Sequence, residues 1–298
     1  MVTDPPSLPS SVWLKSGTLW SEIKRQTQLA LACGALQPIQ TIYEWVEQKN
    51  VRFLVRVLAN IQRKEAAALQ RSKDFNPFLP YDPNLFVADL SATHLVLLNK
   101  FNVMDHHILI VTRAFASQDS LLTLADFQAL AIGLAEIDGL GFYNGGQIAG
   151  ASQRHKHLQI VPLPFVPDGS HLPLEPLIRE RMGRNPKLPY RHAIAHLNPL
   201  DFTQPSAVAK ILLQQYQKLL RDLNLLKNAD SIEPIGAYNL LVTRQWICVV
   251  PRSQESFAGI PVNSLGFTGA LLVKNQEQLA QLKALGPLTV LTEVGYAI

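Results

Sequence analysis

Cysteine and charge are both scarce in this chain. Its 298 residues include two cysteines, Cys33 and Cys248, far apart and outside any Cys-x-x-Cys pair. That excludes a disulfide framework and a thiolate zinc cluster, and leaves two buried free thiols as the expectation. Charged side chains make up 17% of the chain, and 27 Lys+Arg against 23 Asp+Glu give a net charge of +4. The basic residues are dispersed, so the mild excess suits a small phosphorylated ligand better than a nucleic acid. No stretch approaches the roughly 18 uninterrupted apolar residues of a membrane helix. The first residues, MVTDPPSLPSS, lack the basic-then-apolar order of a signal peptide. A soluble cytoplasmic protein that binds neither nucleic acid nor membrane is expected.

Hydrophobic residues are plentiful at 47%, enough to bury a large core. Residues 1–11 read as a loose Pro/Ser-rich tail, and no internal repeat follows. A single α+β domain over 12–298 is expected, including a C-terminal extension from about 171. Apolar spacing predicts a helix from Thr18 to about Ala35. Two β-rich runs, IQTIYEWVEQ and VRFLVRVL, flank a Lys49-Asn50 break. Residues 62–84, charged and then proline-rich, read as a long exposed connection. Short strands are expected at FVADL, HLVLLNKF and HHILIVTR, forming an antiparallel meander. Thr123 starts a helix through about Asp138, a strand follows at GFYN, and SAVAKILLQQYQKLLRDLNLL is the clearest amphipathic helix. AYNLLVT and WICVVPR form a hairpin around Thr243-Arg244-Gln245, and helical segments are expected after Gly269.

The stretch most suggestive of chemistry is GASQRHKHLQ, residues 150–159. On a strand, side chains at every second position face the same way, so His155, His157 and Gln159 form one polar row, with Lys156 and Leu158 on the other face. Such a row is costly to bury without partners or a task. Three readings stand at this level. The histidines could be structurally satisfied. They could offer two nitrogens to a metal, although no Cys, Asp or Glu nearby supplies a third ligand. Or one neutral imidazole could attack phosphorus while its other ring N–H is held by an acceptor. The preceding GGQIAGAS favours the third: small residues let backbone N–H groups approach a polyphosphate, and Ser152 and Gln153 add neutral donors.

From Asn144, the pattern N-x-x-x-x-x-G-A-S-Q-x-H-K-H-L-Q resembles the active-site signature of the diadenosine tetraphosphate phosphorylases, or ATP adenylyltransferases. These form the transferase branch of the histidine-triad superfamily. LLNKFNVMDHHILIVTR, residues 97–113, is similar to the family's LNKF-x-V-x-x-x-H segment, and YNLLVTRQWICVVPRS and VNSLGFTGALLVK are similar to its C-terminal segments. The resemblance implies a histidine-triad-like fold with a mainly antiparallel sheet flanked by helices. It implies His157 as nucleophile, Gln159 on the non-bridging phosphate oxygens in place of the hydrolases' third histidine, and His155 as support. It implies that Asn144, Gly150, Ala151, Ser152 and Gln153 hold phosphates or ribose, that Asn99 and Lys100 contact nucleotide, and that Asn263, Ser264, Leu265, Ala270 and Lys274 contact substrate. Ala270 can offer only its backbone, and Lys64 in IQRKE matches a family lysine or is a solvated charge. No tightly bound cofactor is implied, although a divalent cation such as Mg could accompany the polyphosphate. The expected partners are diadenosine tetraphosphate, ATP, ADP and phosphate, acting on a monomer.

Two rivals share these residues. A hexose-1-phosphate uridylyltransferase also has His-x-His-x-Gln, but typically with proline where this chain has Lys156, and often with zinc-ligating cysteines. A nucleotide sensor that has lost catalysis would keep the motif without the chemistry.

Overall fold

In a computed structural model the chain is described for residues 13–59, 75–166, 172–179, 188–197, 199–228, 231 and 233–298. The N-terminal tail and Lys64, with most of the charged half of the long connection, lie outside the described residues. Strand alternation is strong enough to build one large sheet. Strands β3 (Phe86–Asp89), β4 (His94–Leu98), β5 (Ile108–Thr112), β6 (Gly139–Gly145), β7 (His157–Pro162), β8 (Ala193–His196), β9 (Tyr238–Val242) and β10 (Trp246–Pro251) run in the order β3-β4-β5-β7-β6-β9-β10-β8. Every neighbouring pair is antiparallel.

Alternation along the strands gives the sheet two apolar faces. On the back, Val96, Ile108, Ile110, Leu158, Ile160, Leu240 and Val249 pack against helices α1 (Leu19–Ala32), α2 (Leu124–Glu136) and α4 (Pro205–Asp222). The short helix α3 (Glu175–Arg179) lies between β7 and β8 in the chain. Each fully buried Leu, Ile or Phe in this layer contributes about 1.5–3 kcal/mol. Helix α2 begins where expected. The Thr123 hydroxyl accepts the Asp126 N–H, and Asp126 in return accepts the Thr123 N–H at 2.6 Å, a reciprocal cap.

On the front, Leu140, Phe142, Val161, Leu241, Trp246 and Val250 are covered by a second layer. Strands β1 (Thr41–Gln48) and β2 (Val51–Leu58) form a hairpin whose turn residues, Lys49 and Asn50, both take positive φ, at 50° and 62°. That is the left-handed geometry that a two-residue hairpin turn requires. Strand β13 (Ala270–Val273) pairs parallel with β2, and helices α5 (Gln276–Leu285) and α6 (Pro287–Val294) close the layer. A two-residue ladder, β11 (Ser256–Phe257) with β12 (Ile260–Pro261), precedes it.

Three expectations need correction. The segment after Gly269 opens with β13 before the helices, because a short apolar run can complete the otherwise open edge of β2. Cys33 is exposed, since it caps the outer end of α1; Cys248 is buried as expected. The proline-rich end of the long connection is not simply exposed: Phe78 is buried against Leu95, Leu97, Leu109 and Val111 on the front of β4 and β5. Among the described residues no helix is long and apolar enough to cross a membrane.

Candidate active site

Where β5, β7 and β6 meet, the front face carries buried polar side chains in place of apolar ones. Strand β7 begins at His157; His155 lies just before it, in an isolated bridge to Ser117. The expected alternation holds: Leu158 joins the back-face core, and the Lys156 ammonium reaches back to the Leu121 carbonyl at 2.8 Å and to Asp126 at 3.3 Å. His155 and His157 share the front, where the Phe78 ring lies 5.6 Å and 5.3 Å from theirs.

The two imidazoles are bonded differently. His155 uses both nitrogens. Its Nε2–H donates to the Thr112 carbonyl at 2.8 Å, with the Thr112 hydroxyl at 2.9 Å, while its Nδ1 accepts from the Asn76 amide at 3.0 Å. No lone pair remains for a metal, which sets aside the chelating reading of His-x-His. His157 uses one nitrogen, its Nδ1–H donating to the His155 carbonyl at 2.8 Å. Its Nε2 has no partner among the described residues. Burial pushes the His157 imidazole down to about 4, against a smaller upward pull from the His155 carbonyl. The ring is therefore neutral at physiological pH, with its lone pair on Nε2, the protonation state a nitrogen nucleophile requires.

Gln159 continues the row. Its Oε1 accepts from His107 Nε2 at 2.9 Å, and its amide nitrogen has no partner among the described residues. Asn144, on β6, spends only its oxygen. That atom receives the Asn239 amide at 2.9 Å, the Ser264 N–H at 3.0 Å and the Ser264 hydroxyl at 2.7 Å, and the Asn144 amide nitrogen has no partner among the described residues. Between Asn144 and His155 the chain makes a single 3-10 turn, Gln147–Ala149, ending at Gly150 with φ +90°. A Cβ at Gly150 would lie 2.9 Å from the Val262 carbonyl oxygen and 2.9 Å from Asn263 Cβ, so only glycine lets this loop close onto Asn263. The Ser152 and Gln153 backbone N–H groups have no acceptor among the described residues.

The structure thus gathers His155, His157, Gln159, Asn144, Gly150–Gln153, Asn263 and Ser264. Asn99 joins them indirectly, through His107. Ser264 is fully buried and faces Asn144 and Asn239, so its side chain supports Asn144. Leu265 follows in the 3-10 turn that Asn263 caps. Lys100 is half-buried with its ammonium 5.8 Å from the Phe101 ring. Ala270 lies on β13 opposite Leu54 and Lys274 is exposed just beyond it; no hydrogen bond ties either side chain to the row.

Sequence reasoning missed three residues here. Gln118 brackets the nucleophile: its Oε1 accepts the His157 N–H at 2.8 Å, and its amide donates to the Asn144 carbonyl at 2.9 Å and the His157 carbonyl at 3.2 Å. Asn76 holds His155, and Arg252, almost wholly buried, donates to Asn239 Oδ1 at 2.7 Å. Gln118 and Asn76 sit in no patterned stretch, and Arg252 lay within YNLLVTRQWICVVPRS, which marked the segment without singling it out. His107 was within the LNKF-x-V-x-x-x-H segment, which marked it without giving it a role.

A neutral, half-bonded imidazole set among uncharged donors on a mainly antiparallel sheet is the arrangement of a nucleotidyltransferase of the histidine-triad fold. Comparison with known proteins narrows the class. The model of the Ap4A phosphorylase N-terminal domain matches residues 9–180, and that of the ATP adenylyltransferase C-terminal domain matches residues 186–297. Diadenosine 5',5'''-P1,P4-tetraphosphate phosphorylase 2 of Saccharomyces cerevisiae is 34% identical over 239 residues, covering 71% of this chain and 72% of that protein. The crystal structure of yeast Ap4A phosphorylase Apa2 in complex with Ap4A matches with a TM-score of 0.75 at 25% identity, over 95% of this chain and 99% of that one. Its complex with AMP matches at 0.77 and 26% identity, over 95% and 98%. The chain belongs to the Ap4A phosphorylase family of ATP adenylyltransferases.

Proposed function

We propose that the protein is a diadenosine tetraphosphate phosphorylase in which His157 Nε2 is the nucleophile. The observation that carries this is the hydrogen bond from His157 Nδ1 to the His155 carbonyl, which leaves Nε2 as the one imidazole nitrogen of the row without a partner among the described residues.

The reaction is two displacements at one phosphorus. Nε2 attacks the α-phosphorus of diadenosine tetraphosphate; an N–P bond forms and the bond to the bridging oxygen breaks, expelling ATP. Inorganic phosphate then attacks the adenylylated histidine, the N–P bond breaks, and ADP leaves with the neutral imidazole restored. Negative charge builds on the non-bridging oxygens in both halves. The free amides of Gln159 and Asn144 and the N–H groups of Ser152 and Gln153 are donors fixed before the substrate arrives. Gln159 cannot exchange protons as a histidine could, which suits transfer to phosphate over hydrolysis. Lys100, Lys274 and Lys64 supply positive charge to the polyphosphate, Asn263, Leu265 and Ala270 complete the nucleotide contacts, and a divalent cation accompanies the substrate. Catalysis is carried out by one cytoplasmic chain without nucleic acid.

Incubating the enzyme with diadenosine tetraphosphate and labelled phosphate tests this reading. Label is expected in ADP, with ATP in equal amount. Label confined to phosphate, with AMP as product, would show a hydrolase instead. Turnover of a UDP-sugar in place of the dinucleotide would favour the uridylyltransferase reading.

A further inference from the structure

The Gln159 amide has two ends of opposite character, and only one suits an anion. Its nitrogen donates to phosphoryl oxygens, whereas its oxygen repels them. On the front of the sheet, what distinguishes the ends is His107. The His107 ring is buried beside Phe142, their centroids 5.8 Å apart, with Nε2 2.9 Å from Gln159 Oε1 and Nδ1 3.1 Å from the Asn99 amide nitrogen. The Asn99 N–H also donates to the His107 carbonyl at 3.0 Å, so the two residues are tied by main chain as well as side chain.

We infer that Asn99, His107 and Gln159 form a one-way hydrogen-bond relay in which His107 is a positioning residue that fixes the Gln159 amide nitrogen toward the phosphoryl group. The Asn99 amide donates to Nδ1, which must be bare to accept. Nε2 then carries the ring's single proton and donates to Gln159 Oε1, and both Gln159 N–H bonds are left for the substrate. A neutral ring is required, because an imidazole with one proton can pass only one direction along the chain. Burial, against a smaller opposing pull from Gln159, pushes His107 down to about 4 and keeps it in that form. Were the ring turned to its other tautomer, Nε2 would accept, the Gln159 amide would turn inward, and its carbonyl would face the phosphate. His107, just before β5, and His157, on the neighbouring β7, must therefore hold opposite tautomers, since His157 keeps its proton on Nδ1. The relay also gives Asn99 a task distinct from touching nucleotide, transmitted through two side chains. It rests on the assignment of Gln159 as a phosphate donor.

Two measurements test it together. Nitrogen-15 NMR of the imidazoles of the intact enzyme should show His107 protonated at Nε2 and His157 at Nδ1; a proton on His107 Nδ1 would overturn the relay without reference to activity. His107→Phe keeps the ring's bulk and removes both bonds. It should lower kcat for phosphorolysis roughly ten- to hundredfold, below the ~10²–10³-fold cost of losing a preorganised donor outright, with KM little changed. Because the relay acts through Gln159, adding His107→Phe to Gln159→Ala should cost almost nothing more, whereas independent effects would multiply. Multiplying effects, or His107→Phe with wild-type kcat, would overturn it. If His107→Phe does not fold, the tautomer pair in the wild type still decides. Failure of the wild type to phosphorolyse diadenosine tetraphosphate would sink the proposed function and leave the tautomer result standing.

Discussion

On the back of the catalytic strand, Lys156 is held by the Leu121 carbonyl and by Asp126, whose other oxygen accepts from His94 at 3.0 Å. On the front, one residue away, His157 leaves a nitrogen bare, and Gln159 leaves an amide. Burial alone would raise the Asp126 carboxyl, but the His94 bond, the Lys156 charge and the Thr123 cap outweigh it and hold it low. The back face satisfies its polar groups and the front keeps some in reserve. One strand can do both because alternation separates the two sets of side chains completely. Rigidity behind the row is what lets the free donors in front stay aimed.

The comparison predicts that front-face changes alter rate and back-face changes alter stability. The largest effect is His157→Ala, which should abolish the covalent adduct and reduce turnover by ~10³-fold or more while the thermal midpoint moves little. Intact-protein mass spectrometry without phosphate should show one added AMP on the wild type and none on the variant. An adduct surviving the substitution would break the assignment. Next, Lys156→Met should destabilise by about 3–5 kcal/mol, since it strips a partner from a buried carboxylate. Urea unfolding measures this, and the folded fraction should still form the adduct. If stability held and the adduct failed, the two faces would not be separable as described. Gly150→Ala should cost about 1–3 kcal/mol for a strained backbone, and because the loop must leave Asn263 it should also raise KM for the dinucleotide. The smallest signature concerns pH. His107 and His157 have folded-state values lowered to about 4 from 6.5. The unfolded chain therefore binds more protons between those values, and stability should fall as pH drops through that window and level off below it. Correspondingly, kcat/KM should show no limb near pH 6.5 from His157. A clear limb there would mean the nucleophile is more exposed than its surroundings suggest.

Much of this was legible in the chain because it depends on local periodicity. The row at 155, 157 and 159, the helix opened by Thr123, the Lys49-Asn50 turn and the β9–β10 hairpin follow from alternation, caps and turn chemistry. What was not legible depends on residues distant in sequence. Gln118 lies 39 positions from His157, and Asn76 lies 79 from His155. Each is an unremarked amide in a loop, meaningful only once the sheet places it. Ser264 shows the converse: the motif marked the position, but only the fold shows its hydroxyl engaged with Asn144, Asn239 and the Tyr143 carbonyl. Strand β13 was missed because four apolar residues carry no period that separates strand from helix.

Strands β6 and β9 pair in the middle of the large sheet, with Asn144 opposite Asn239. Asn239 in turn holds Asn144 and the Ala149 carbonyl and is itself held by Arg252. This seam joins the stretches matched by the two family models, so neither can be cut free intact. A fragment ending near residue 180 would carry the nucleophile but expose the β6 edge, and the β2 edge that β13 completes, as unpaired ladders open to aggregation. Co-expressed with the remainder, it should recover activity only as the two pieces zip together along those edges, which would make the β6–β9 seam a natural place to install a split-enzyme reporter.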